Sequence, residues 1–259
     1  MGASRFRCCR VASGATLTLN NLTIAHSYSS SSVSNGGTIF NQGTLTVSTS
    51  TFSGNSSDAG GGIDHNSGTL TITNCTFSDD SALVGGGIDN GGSVSLKNTI
   101  MADSSPSNCA GTIADDGYNI SDDTTCGFAK TGSANNGDDV DPLLSSEGLV
   151  NNGGPTETLA LTQGSPAIDA IPLADCTDQA SPPNRIITDQ RGALRPAAGE
   201  VQCDIGAYEF QDLAGQPLCR IKSILALVRQ FGSIEAAASA LGFPSVTALV
   251  NAILTSCGR

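Results

Sequence analysis

Four segments of this chain can be laid over one another: ATLTLNNLTI from Ala15, GTLTVSTSTF from Gly43, GTLTITNCTF from Gly68 and GSVSLKNTIM from Gly92. They recur every 24 to 28 residues, and within each one apolar and polar residues alternate. Alternation marks a strand with one buried face. A unit this small cannot bury that face alone, so the repeats must stack.

The inward columns read Leu17/Leu45/Leu70/Val94 and Leu19/Val47/Ile72/Leu96. Two residues then break the alternation, and apolar or small residues resume at Leu22/Ser50/Cys75/Thr99 and Ile24/Phe52/Phe77/Met101. The corner column is Asn21/Thr49/Asn74/Asn98. Asn tolerates left-handed backbone angles there and can form an amide ladder along the axis. A third strand precedes these two, with Ile39/Ile63/Ile88 pointing inward after a glycine run. A strand, a corner and a strand per repeat predict a mainly β chain, a parallel β-helix. Cys75, in an inward column, reads as a buried small hydrophobe.

Composition narrows the function classes. The net charge is −12 over 259 residues, with 12 Lys+Arg against 24 Asp+Glu, which excludes phosphate-driven nucleic-acid binding and disfavours anionic lipid. No apolar run reaches the ~18 residues of a membrane span. The first residues, MGASRFRCCRVASG, contain no apolar core of a signal peptide. Residues 1–14 are expected to be a disordered or truncated segment, with the natural first coils missing. The β-helix is then assigned to 15–212, with regular coils at 15–102 and less regular coils plus a cap at 103–212. A helical module follows at 213–259.

Nine cysteines without a CxxC pair point to disulfides rather than zinc. The local pairs are Cys109 with Cys126, Cys176 with Cys203 and Cys219 with Cys257, leaving Cys8, Cys9 and Cys75. Such pairing predicts an oxidising, extracytoplasmic setting.

FSGNSSDAGGGI (Phe52–Ile63) resembles the FxxN…GGA[IL] repeat of polymorphic outer-membrane-protein β-helices. An ordered series then follows: GYNI (Gly117–Ile120), VDPLL (Val140–Leu144), NNGGPTETLAL (Asn151–Leu161), GSPAIDA (Gly164–Ala170), DQRGALRP (Asp189–Pro196) and CDIGAYEF (Cys203–Phe210). That series resembles the bacterial choice-of-anchor Q domain. The resemblance implies a right-handed parallel β-helix, secretion or display at the cell surface, and no particular reaction.

Within DQRGALRP and CDIGAYE, Asp189, Arg191, Arg195, Asp204 and Glu209 form a compact charged set in an apolar setting. The expectation is a salt-bridge network that closes the last coil, since open β-helix ends need a cap.

Beyond Gly215 the spacing becomes helical, with helices expected at Ile221–Gln230, Ile234–Leu241 and Val246–Thr255. Ser233 and Ser245 are the N-cap candidates, and Gly242 ends the second helix. The would-be recognition helix SVTALVNAIL carries no Lys or Arg, so the module is expected to cap the solenoid or dock a partner, clamped by Cys219–Cys257.

Three constellations bear on function. Asp64 and Asp89 recur outward beside Ile63 and Ile88 in GGGID, with His65 and Asn90 alongside. Stacked coils bring such carboxylates to about 4.8 Å, which suits a shared proton, a cation or a polysaccharide-cleaving site like those of β-helix pectinases. GDDVDP offers Asp138, Asp139 and Asp141 as calcium ligands, against a solvated acidic loop. Thr16/Thr44/Thr69/Ser93 and Thr18/Thr46/Thr71/Ser95 form outward hydroxyl columns, which are an ice-binding array or ordinary β-propensity. The leading expectation is a non-enzymatic scaffold that contacts glycans or cell-surface ligands, with no cofactor beyond calcium. The alternative is a polysaccharide lyase or hydrolase.

Overall fold

The computed structural model describes residues 7–29, 38–197, 200–211, 233–240 and 243–250. The chain divides into two compact units, Met1–Phe210 and Gln211–Arg259.

The alternation described above folds into three strands per coil. The first coil holds β1 (Cys9–Val11), β2 (Thr16–Asn20) and β3 (Thr23–Ala25); the second holds β4 (Ile39–Asn41), β5 (Thr44–Ser48) and β6 (Thr51–Ser53). The third holds β7 (Ile63–His65), β8 (Thr69–Thr73) and β9 (Thr76–Ser78), and the fourth β10 (Ile88–Asn90), β11 (Ser93–Lys97) and β12 (Ile100–Ala102). Short strands β13 (Cys109–Ala110), β14 (Ala114–Asp115) and β15 (Ile120–Ser121) make the fifth. Like strands pair in parallel to give three five-stranded sheets, β1-β4-β7-β10-β13, β2-β5-β8-β11-β14 and β3-β6-β9-β12-β15. The chain is a parallel β-solenoid.

Register follows the repeat alignment residue for residue: Leu17↔Leu45, Leu45↔Leu70 and Leu70↔Val94 in the second sheet, Phe52↔Phe77 and Phe77↔Met101 in the third. Leu45, Val47, Leu70, Ile72, Leu96 and the three Ile of the first sheet are fully buried, each contributing about 1.5–3 kcal/mol. The Phe52 and Phe77 rings stack with centroids 4.4 Å apart. Cys75 lies in this core as expected.

Asn21, Thr49, Asn74 and Asn98 all adopt positive φ, between 48° and 54°, so the corner column is a left-handed turn in every coil. Asn98 Nδ2 donates to Asn74 Oδ1 at 3.3 Å, but Thr49 interrupts the ladder towards Asn21. The glycine run is explained by close approach. A Cβ on Gly61 would sit 2.4 Å from the Gly86 carbonyl oxygen and 2.7 Å from the Ser81 backbone.

Three expectations are corrected. Residues 9–11 are an ordered strand paired with β4, so the solenoid begins before residue 15. Beyond β15 only Gly137 adds a further parallel bridge, to Ile120, and the regular coils then give way to antiparallel pairs, β16 (Leu144–Val150) with β17 (Thr158–Leu161) and β18 (Ile171–Pro172) with β19 (Gln202–Cys203). The charged network does not close the last coil. Ile113, Cys126 and Phe128 join the core beside Cys109 and do that. The segment carrying Asp189 to Glu209 instead runs back along the outer face of the third sheet, where Ala207 N donates to Thr76 Oγ1 and Gly206 N to the Asn98 carbonyl. Thr51, Thr76, Ile100 and Ile120 are thereby buried on the side facing away from the solenoid core. The third sheet is covered on both faces, which is unusual only in that a loop-rich segment does the covering.

Cys109–Cys126 and Cys176–Cys203 are disulfides, as their spacing predicts. Cys219 and Cys257 lie outside the described residues, as does the helix expected at Ile221–Gln230. In the C-terminal unit, α1 (Ile234–Ala240) is capped by Ser233 Oγ, which accepts from Ala236 N at 3.0 Å. Residues 246–250 are helical, with Ser245 Oγ accepting from Ala248 N. No helix among the described residues is long and apolar enough to cross a membrane.

Candidate functional site

The outward column of the first sheet reads Arg10, Phe40, Asp64, Asp89 and Ala110, as the pairings Arg10↔Phe40, Phe40↔Asp64, Asp64↔Asp89 and Asp89↔Ala110 require. The two Asp are therefore neighbours, as the repeat predicts. They are not both solvated, however. Asp64 is only 4% exposed, while Asp89 is partly open. Phe40 stands on the adjoining rung, and the guanidinium carbons of Arg7 and Arg10 lie 5.4 and 5.6 Å from its ring centre. Arg10 thus stands within the coils, because the first strand starts at Cys9.

Burial, and secondly the Asp89 charge, raise the Asp64 carboxyl to about 6 against the opposing pull of Arg7. Burial also raises Asp89. Asp64 Oδ2 has no hydrogen-bond partner. A carboxyl of this kind holds its proton in weakly acidic solution.

His65 does not join them. Alternation sends it inward with Ile63, and it is fully buried. Its Nδ1 accepts from Asn41 Nδ2 at 2.9 Å, so Nε2–H donates to the Ser93 carbonyl at 3.2 Å. Burial lowers its pKa, leaving a neutral ring that ties the first sheet to the second. Asn90 Oδ1 accepts from Gly92 N in the same turn.

The GDDVDP carboxylates do not converge. Asp138 Oδ2 accepts from Gly127 N at 2.8 Å, Asp141 Oδ1 accepts from Leu143 N at 2.8 Å, and Asp139 is exposed at a left-handed turn. Among the described residues no group of three or more His, Cys, Asp or Glu is arranged to hold a metal ion. Of the calcium candidates, Asp141 holds its own turn and Asp138 ties two loop segments together.

The charged set from DQRGALRP and CDIGAYEF is brought together and buried. Arg195 Nε pairs with Glu209 Oε2 at 3.0 Å, and Arg191 with Asp189 at 2.6 Å. Arg191 also covers the Tyr208 ring, with Cζ 3.6 Å from its centre. Asp204 accepts from the amides of Asp169 and Phe210, and Glu209 from those of Ala197 and Asp204. Three carboxylates face two guanidiniums here. Burial and the Glu209 charge accordingly push Asp204 well above the usual carboxylate range. These side chains shape loops, and none of their hydrogen bonds is offered to solvent.

The open surface lies on the second sheet. Thr16, Thr18, Thr44, Thr69 and Ser93 are exposed, with Thr46 and Thr71 half-exposed between them. One border is closed by the C-terminal segment, where Gln179 contacts Ser95 and Thr73, and Lys97 Nζ donates to Thr177 Oγ1 at 2.8 Å.

Two features were not anticipated from sequence. A shallow groove of about 240 Å³ is lined by Tyr28, Ser57, Asp58 and Leu83, and Tyr28 is 40% exposed. The register Tyr28↔Ser56↔Ser81↔Ser105 continues the stacking into this turn, and extending the repeat alignment a few residues further would have found it. The other is Asp80, fully buried, whose Oδ1 accepts from Asn55 N and Nδ2 at 2.8 and 2.9 Å. It takes the place of the Asn in FxxN, which marked the position.

No protein-family model matches the chain, and neither the curated proteins nor the solved structures yield a match.

Proposed function

We propose that this chain is an extracellular or cell-surface β-solenoid that binds extended ligands, glycans foremost, without turning them over. The observation that carries the reading is where the polar groups stand. Of the candidate carboxylates Asp64 is buried and Asp89 only partly open, while the second sheet offers solvent a regular array of hydroxyls at a rung spacing of about 4.8 Å. A flat, repetitive, weakly charged face suits a flat, repetitive, hydroxyl-rich partner. Secretion or surface display is supported by the two disulfides and by the resemblance of the ordered motif series to choice-of-anchor Q domains.

Retention on insoluble and immobilised glycans, compared between the chain and a Thr44→Lys/Thr69→Lys variant, tests this. Binding that survives both substitutions overturns the role of this face. The second reading, a polysaccharide lyase or hydrolase, is favoured by one observation, the raised Asp64 beside Asp89. Turnover of acidic glycans, with or without calcium, that disappears in Asp64→Asn would establish it and displace the binding-only reading. Ice recrystallisation inhibition lost in the same Thr variant would instead identify the partner of the hydroxyl face as ice.

A further inference from the structure

Cys8 and Cys9 lie next to one another where β1 begins. In a regular strand, neighbouring side chains leave on opposite faces. Here both amides donate to a single acceptor, the Thr38 carbonyl, at 2.9 and 3.3 Å. Two residues set against one is the arrangement of a β-bulge, which re-aims side chains at sheet edges. The result is an Sγ–Sγ separation of 3.0 Å, inside the resting distance of two non-bonded sulfurs.

The other described cysteines leave this pair to itself. Cys109 is bonded to Cys126 and Cys176 to Cys203, while Cys75 is sealed in the core. Cys8 is exposed and Cys9 half-buried, so reagents reach the pair.

We propose that Cys8 and Cys9 form a redox-labile disulfide between adjacent residues under the conditions in which the other two disulfides form. Two S–H bonds break and one S–S bond forms. The two electrons and two protons pass to a disulfide oxidant, which leaves as two thiols. Adjacent Cα atoms stand about 3.8 Å apart, below the roughly 4.4–6.8 Å of ordinary disulfides, so the closed ring is strained. Strained, exposed disulfides are the first to be reduced. Closed, the ring fixes the bulge and so the register of β1 on β4. Open, it leaves a surface dithiol at the sheet edge.

Peptide mapping of the purified full chain tests this. After alkylation in denaturant without reductant, trypsin cuts behind Arg7 and Arg10 and releases Cys8-Cys9-Arg10. The expected tripeptide is unalkylated and two hydrogens lighter than the dithiol. On graded reduction it becomes alkylated at roughly tenfold lower thiol concentration than the Cys109–Cys126 and Cys176–Cys203 peptides. A tripeptide alkylated on both sulfurs before reduction overturns the proposal, as does one linked to any other cysteine peptide or to a second copy. A tripeptide that opens only together with the other disulfides overturns its lability. Independently, Cys8→Ser raises the free-thiol count in denaturant by one, and Cys8→Ser/Cys9→Ser returns it to the starting value. An unchanged count in the single variant is equally fatal.

Discussion

Gln190 Nε2 donates a hydrogen bond of 2.7 Å to Thr23 Oγ1, bridging 167 residues of sequence, and its Oε1 accepts one of 2.6 Å from Thr51 Oγ1. One side chain from the C-terminal segment therefore reads the outer face of two successive coils. Farther along the same face, Ala207 holds Thr76. The segment that follows the coils is a strap lying along them.

Gln190→Ala is accordingly expected to weaken the solenoid more than a surface glutamine would. Thr51 is fully buried and loses its partner, and an orphaned buried hydroxyl costs about 1–3 kcal/mol. Urea denaturation should place the variant about 2 kcal/mol below the parent. Adding Thr51→Val removes the orphan, so the double variant should lose less than the sum of the two single losses. Strict additivity would show that the strap contact carries no coupling.

Asp80 makes stability depend on pH. Burial, as the largest cause, leaves its carboxyl at about 8 against an ordinary 3.8, even with the two hydrogen bonds from Asn55 pulling it down. Between those two values the unfolded chain has released the proton and the folded chain keeps it. Stability from this group is thus complete below about pH 3.8, falls as pH rises, and is lost above about 8. Asp80→Asn, which restores the amide of the FxxN pattern, should flatten that slope and raise stability at pH 8 by a few kcal/mol. Denaturation midpoints of both proteins at pH 5 and 8.5 check it: an equal drop in both would assign the slope to other groups.

The inward columns were legible because two periods coincide, alternation within a strand and recurrence every 24 to 28 residues. Once Leu17, Leu45 and Leu70 are aligned, the register of the second sheet follows. His65 was set alongside Asp64 and Asp89, although with Ile63 facing in the same alternation puts it inside and away from Asp64. The burial of Asp64 was not legible. Its cover comes from Phe40 and from Arg7, beside a strand, Cys9–Val11, that carries no Leu-x-Leu signature. The strap was equally hidden, since a contact such as Gln190 to Thr23 leaves no periodicity in the chain. Local pairing of cysteines within one excursion was enough to find two disulfides.

The Asp64–Asp89 relationship predicts a coupled titration. Asp64 should titrate near 6, and Asp89→Asn should lower that midpoint by removing the neighbouring charge. It should not return to the ordinary 3.8, because burial is the larger cause. Carboxyl-carbon NMR titration separates the two contributions. Folding likewise takes up a proton here between pH 3.8 and about 6, so stability from Asp64 declines through that window as pH rises. An Asp64 midpoint unmoved by Asp89→Asn would mean that the carboxylates do not sense each other.

The glycines of GGGID are a test of how rigidly the coils are spaced. A methyl group on Gly61 meets the Gly86 carbonyl and the Ser81 amide, backbone atoms of the next coil that are fixed by the bridges Ser56↔Ser81 and Ala59↔Val84. No side chain can rotate away to make room. Gly61→Ala should therefore cost about 3 kcal/mol or more, as overpacking against an immovable wall does. Gly164→Ala is the control: nothing lies within 4 Å of its added Cβ, and only its φ of +88° resists, which is worth about 1–2 kcal/mol. Thermal or urea unfolding of the two variants side by side should rank Gly61 clearly below Gly164. The reverse order would mean that the coils can slide apart at this turn, and that the glycine run reflects backbone angle rather than coil-to-coil contact.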